Sequence, residues 1–244
     1  MAVTTLELSA ASTPSRDRIA WLGVAGVVAM IAAQVLGFLT SPPDRDMGHL
    51  QKIMYVHVPA AWNAFLAFFV VAIASLAYLW KGRAKDDLLA ASAAEVGALL
   101  TGLTLALGMI WGRPTWGVWW TWDPRLTSTA VLFFIFIAYL LLRALVDDPD
   151  RRAQWSAVVG LLGALNVPIV YMSVRWWRTL HQVQSSPSTV DPQYAWSLRA
   201  NAIAVFVVLV FCIRHRYGSA RLQRAAEDLV DRAALAEGRG MARG

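Results

Sequence analysis

The 244-residue chain is 57% hydrophobic and 16% charged, with a mean hydropathy of +0.48. That is above the apolar content of soluble globular domains and excludes that class. The net charge of +6 is not a nucleic-acid signature, because Lys and Arg are sorted between alternate loops, as the positive-inside rule expects of a membrane protein.

Crossing a hydrocarbon core roughly 30 Å thick takes about 20 mainly apolar residues. Six segments qualify, at 19–39, 60–80, 88–111, 127–146, 155–177 and 197–213. They leave only short loops and a C-terminal tail. The expected fold is an all-α integral membrane protein, a six-helix bundle with short surface segments on its outer face. With the N-terminus inside, fifteen Lys and Arg residues fall on the cytoplasmic side and seven on the other, which orients the chain N-in and C-in. The expected organisation is a cytoplasmic N-terminus at 1–18, a membrane domain at 19–217 and a cytoplasmic tail at 218–244.

Ile19–Leu39 exceeds the about 7–15 apolar residues of a signal-peptide core, so it reads as an uncleaved first helix. Thr40-Ser41-Pro42-Pro43-Asp44 ends it, and the mixed stretch Gln51–His57 is expected to lie along the membrane surface. Pro59 suits the first turn of the second helix, which puts His57 at that helix's outer boundary. After the charged turn Lys81–Asp87, Glu95 falls within the third span. A carboxylate is costly there, and a structural partner in the bundle or in another subunit is expected. Asp123-Pro124 has the form of an N-cap followed by Pro at the first position of the fourth helix. Asn166-Val167-Pro168 predicts a kink in the fifth span. A polar outer loop with Ser185-Ser186-Pro187-Ser188 leads to the sixth, and 221–236 in the tail is expected to form a solvated or surface-lying helix.

The chain holds twelve tryptophans, and five of them lie within the twelve residues Trp111–Trp122. Trp favours membrane interfaces, but a belt alone does not account for that density. Trp116, Trp119, Trp120 and Asp123 are spaced i, i+3, i+4 and i+7, so a short surface helix would place them on one face. By parity the same side carries His57, just before span two, and His181, just after span five. Two neutral imidazoles can bind one heme iron axially, the aromatic surface suits the macrocycle, and cations suit its propionates. Arg113, Arg125, Arg175 and Arg178 stand beside the Trp cluster or His181, against the positive-inside trend, and Arg binds carboxylates bidentately. Interfacial anchoring for the Trp residues, capping for Asp123 and plain hydrogen bonding for either His remain open at this point. Cys212 is the only cysteine, so neither an intrachain disulfide nor covalent heme attachment through C-x-x-C-H is available.

Trp116-Gly117-Val118-Trp119-Trp120-Thr121-Trp122-Asp123-Pro124-Arg125-Leu126-Thr127 resembles the WWD signature of heme-handling proteins, in the W-G-x-W-W-x-W-D-x-R-L-T form of the heme exporter protein C (CcmC) family. Ile53-Met54-Tyr55-Val56-His57-Val58-Pro59-Ala60-Ala61-Trp62 and Trp176-Trp177-Arg178-Thr179-Leu180-His181-Gln182 agree with it, and the resemblance covers nearly the whole chain. It implies a protein of the bacterial inner membrane that binds non-covalent heme b in transit on the periplasmic side and loads it onto a periplasmic heme chaperone for c-type cytochrome maturation. The implied partners are that chaperone, the ATPase and permease subunits of an ABC transporter, a small single-span subunit and membrane lipid. His57 and His181 carry over as axial ligands; Trp116, Trp119, Trp120, Trp122 and Asp123 carry over as the platform, with Trp111 and Arg125 beside them. Arg113, Arg175 and Arg178 are candidate propionate partners by charge placement. No G-x-x-x-x-G-K-[ST] occurs, so ATP hydrolysis falls to partners and a non-enzymatic role is expected. Two rivals are a b-type cytochrome subunit of a quinol oxidoreductase and a permease subunit that binds no heme.

Overall fold

The computed structural model describes residues 14–181 and 190–241. The polar segment 1–13 and the Ser185–Ser188 loop lie outside the described residues. The six apolar runs form six α-helices: α1 (Pro14–Thr40), α2 (Met54–Lys81), α3 (Ala84–Trp116), α4 (Pro124–Leu145), α5 (Pro149–Trp176) and α6 (Pro192–Met241). Each is long and apolar enough to cross a membrane. The fold is all-helical, and no β-strand occurs among the described residues.

Helix α2 lies at the centre and packs on α3, α5 and α6, while α1 packs chiefly on α6 and α4 on α5. Without water to drive helices together inside a bilayer, close packing of small residues does the work. The buried face of α2 accordingly carries Ala60, Ala64, Ala67 and Ala74 around Phe68 and Val71. Phe68 stacks on Phe136 of α4 with ring centroids 3.6 Å apart. Gly97 of α3 makes room for that pair, since a Cβ there would lie 2.7 Å from the Phe68 ring. Gln34 of α1 donates to the side-chain carbonyl of Asn201 in α6 at 2.6 Å, a polar clamp inside an otherwise apolar seam.

Helix α2 begins at Met54, five residues before Pro59. A 3₁₀ turn, His49–Ile53, runs straight into it with Ile53 already in right-handed helical geometry. The expectation that Pro59 opens the helix is corrected, and Gln51–His57 runs on into α2. Gln51 is buried, and His57 sits in the first turn of α2. Pro59 has no N–H to give the Tyr55 carbonyl, and the Gln34 amide lies 3.5 Å from that oxygen instead. Helix α5 continues through Pro168, and the Asn166 amide reaches across to the Ser128 carbonyl of α4 at 2.9 Å.

Glu95 has its partner within the chain: Arg216 of α6 binds it through two contacts of 2.5 and 2.9 Å. The stretch 221–236 is a continuation of α6 and not a separate helix.

Candidate functional site

The Trp-rich loop starts where α3 stops. Gly117 adopts φ +80°, left-handed geometry that a side chain disfavours, and its N–H donates to the Arg113 carbonyl at 3.0 Å. The Arg113 guanidinium returns to the Gly117 carbonyl at 2.7 Å. Trp116 is therefore the last helical residue, and residues 118–123 are not helical. The expected single helical face for Trp116, Trp119, Trp120 and Asp123 is overturned, because Gly117 redirects the chain. Trp119 and Trp122 remain exposed, at 58% and 81%, whereas Trp116 and Trp120 turn inward with Trp111.

Asp123 closes the loop. Its Oδ1 accepts from the Arg125 and Leu126 N–H groups at 2.9 and 3.4 Å, capping α4 with Pro124 at the first helical position. Its Oδ2 accepts from the Thr179 hydroxyl at 2.6 Å and the Leu180 N–H at 2.7 Å. Oδ1 also faces His181 Nδ1 at 3.1 Å. Burial alone would raise this carboxyl's pKa, but the Thr179 and Leu180 hydrogen bonds, the neighbouring His181 and the Arg125 N–H together hold it below the usual carboxylate value. The side chain is 2% exposed.

Between the helix ends lies a cavity of about 450 Å³, lined by His57, His181, Trp111, Trp116, Trp120 and Arg125. It continues past Val58, Trp62, Phe65, Thr101 and Leu105, and reaches Tyr194 and Leu198 of α6. Trp111 meets Trp116 edge-on at 5.2 Å, and Trp116 meets the His181 ring edge-on at 5.0 Å. His57 is backed by Gly108, where a Cβ would stand 3.1 Å from its Cε1. The buried Trp111 Nε1 has no hydrogen-bond partner among the described residues. Burial pulls the His181 pKa down and Arg125 acts the same way; Asp123 opposes them without prevailing, so the ring is neutral near pH 7.

Arg125 is the arginine that lines the cavity, and its Nη2 lies 3.5 Å from the Tyr171 carbonyl. Arg113, Arg175 and Arg178 are exposed and do not line it. Sequence reasoning did not single out Thr179 or Gly108. Thr179 sits inside the motif with His181, which was a usable signal, but nothing in the chain announces Gly108. Uncharged imidazole, flat aromatic walls and one buried-edge cation suit a flat, largely apolar ligand with a coordinating centre and an acidic rim.

The chain is similar over most of its length to known proteins. The family model described as Heme exporter protein C matches residues 7–231. The chain is 40% identical over 194 residues to "Heme exporter protein C" of Bradyrhizobium diazoefficiens, covering 78% of this chain and 73% of that one. It is 36% identical over 183 residues to the Escherichia coli protein of the same name, covering 74% of each. It is also 37% identical over 174 residues to "Putative cytochrome c biosynthesis ccmC-like mitochondrial protein" of Marchantia polymorpha, covering 71% of this chain and 72% of that one. The chain belongs to the heme exporter protein C family.

Proposed function

We propose that this protein binds heme b non-covalently at one end of the bundle and hands it to a periplasmic heme chaperone during c-type cytochrome maturation. His57 and His181 ligate the iron, Trp111, Trp116 and Trp120 wall the macrocycle, and Arg125 binds a propionate. The observation that carries the reading is that two histidines from distant parts of the chain line one aromatic cavity. The residues fit the cargo. A cavity of about 450 Å³ is in the range of small-molecule sites, and Trp111 Nε1, unpartnered among the described residues, is a buried polar atom of the kind a ligand satisfies.

Trp119 and Trp122 stand outside the cavity and are exposed, which suits contact with the arriving chaperone. The orientation is N-in and C-in, supported by the excess of Lys and Arg in the inner loops; this puts the heme on the periplasmic face of the bacterial inner membrane. The chain handles heme without catalysing a reaction, alongside the ATPase and permease subunits of an ABC transporter and a small single-span subunit, the context that the resemblance of the 116–127 motif implies.

The test is the visible spectrum of the protein purified in detergent. The wild type is expected to show a six-coordinate heme, and His57→Ala and His181→Ala are each expected to lose that signature. A wild type free of heme, or both variants with an unchanged spectrum, overturns the proposal. Co-purification of a chaperone carrying heme tests the delivery step.

A further inference from the structure

We propose that Asp123 is the positioning residue for His181 and that it makes the two iron ligands unequal, His181 being retained and His57 released when heme leaves. This rests on the heme reading above and adds to it a division of labour.

Asp123 is not placed to touch the cargo. It is absent from the cavity lining, its side chain is 2% exposed, and both oxygens are engaged by donors from two segments. What it does reach is the far side of the His181 ring. With Nδ1 facing Oδ1 at 3.1 Å, the carboxylate favours the tautomer that carries its proton on Nδ1. Nε2 is then the lone pair left for iron. A carboxylate behind a ligating imidazole fixes the ring and raises its donor strength. The same oxygens hold Thr179 and Leu180, so backbone and ring of the 179–181 segment are set from one point.

No carboxylate stands behind His57 among the described residues. The polar groups acting on its ring are His181, a hydrogen-bonding backbone group of Thr104 and Arg125, so its support is a neutral carbonyl where His181 has an anion. Its position is fixed by packing against Gly108. With both imidazoles on one iron, the one without an anionic partner behind it would be the weaker donor and the first to let go.

The experiment compares heme-loaded wild type, Asp123→Asn, Thr179→Val, His57→Ala and His181→Ala in detergent, by visible spectrum and by iron midpoint potential. Asp123→Asn keeps the shape and an oxygen for the α4 cap but removes the charge. Its midpoint potential is expected to rise, because ferric iron loses an electron-rich ligand, and its heme occupancy to fall about tenfold. Thr179→Val keeps the charge and loosens its hold, so the shift is expected in the same direction and smaller; it serves as the test if Asp123→Asn does not fold. His57→Ala is expected to keep five-coordinate heme that added imidazole returns to six-coordinate. His181→Ala is expected to lose heme with no recovery. Equal behaviour of the two His variants, or a wild-type potential in Asp123→Asn, overturns the inequality while leaving the heme reading intact. A wild type without heme instead defeats the reading beneath it.

Discussion

Arg143 of α4 grips Asp87 of α3 through two parallel contacts, Nη1–Oδ1 at 2.5 Å and Nη2–Oδ2 at 2.9 Å, with side chains only 15% and 7% exposed. Removing one member leaves the other charge in a poorly hydrated place, which for buried pairs costs about 3–5 kcal/mol. Arg143→Met is expected to destabilise the detergent-solubilised protein by about 3 kcal/mol, the lower end of that range. The double variant Asp87→Leu/Arg143→Met is expected to recover much of the loss, because no lone charge remains. Denaturant unfolding of the three proteins checks this, and equal stability of wild type and Arg143→Met would show that the pair contributes little.

Gly117 tests the loop. Any side chain at φ +80° meets a left-handed penalty of roughly 1–2 kcal/mol. Gly117→Ala is expected to lower the unfolding midpoint by a few degrees and to reduce heme occupancy, since Trp116 and Trp120 flank it on either side. An occupancy equal to wild type would show that the Trp positions do not depend on this turn.

Gly108 tests the backing of His57. A methyl group 3.1 Å from the ring pushes it by a few tenths of an ångström, and the larger Gly108→Val pushes further. Heme occupancy is expected to fall from wild type to Ala to Val, while the helical circular dichroism signal is retained. An unchanged series would remove His57 from the ligand set or show that its ring has room to move.

Arg125 is separable from the exposed arginines. Hydrogen bonds to a charged group are worth about 1.5–3 kcal/mol, so Arg125→Gln is expected to weaken heme binding about tenfold or more. Arg113→Gln, Arg175→Gln and Arg178→Gln are expected to stay within about twofold, the scale of exposed, solvent-screened charges. Titration of the apo-protein with hemin ranks all four, and a loss confined to Arg178→Gln would move the propionate site outside the cavity.

Two titrations at the site contribute to the acid stability of the apo-protein. The pKa of His181 is depressed, so its contribution is fully present above the ordinary histidine value of about 6.5 and is lost as pH falls through the lower folded value. The pKa of Asp123 is also depressed; its contribution is present above the ordinary aspartate value of about 3.9 and is lost further into acid. Thermal unfolding from pH 8 to pH 3 is expected to show both declines, with His181→Gln removing the upper one. A stability that rises as pH drops from 7 to 5 would contradict the sign for His181.

The helices were legible because six uninterrupted apolar runs leave the chain few alternatives, and the Asp123-Pro124 cap because both residues act locally. The start of α2 was not legible. Pro59 reads as a first-turn residue, and only the 3₁₀ turn before Met54 and the Gln34 amide, an α1 residue, explain its interior position. The i, i+3, i+4, i+7 spacing of Trp116, Trp119, Trp120 and Asp123 was misleading, because one glycine at φ +80° cancels a helical reading of everything after it. His57 and His181 were legible as candidates by residue type and loop position. Their shared cavity was not, since it depends on how α2, α3 and the end of α5 pack. The partner of Glu95 lies 121 positions away in α6, and no local pattern announces it.

Helix α6 has one further consequence. It runs for 50 residues without a break, roughly 75 Å at about 1.5 Å per residue, against a hydrocarbon layer of about 30 Å. Its first turns supply Tyr194 and Leu198 to the cavity wall, and Arg216 rivets it to Glu95 more than five turns further on. Beyond that rivet the helix continues to Met241. A displacement of the helix beyond Arg216 therefore passes along one unbroken rod, past the contact with α3, to the wall of the cavity.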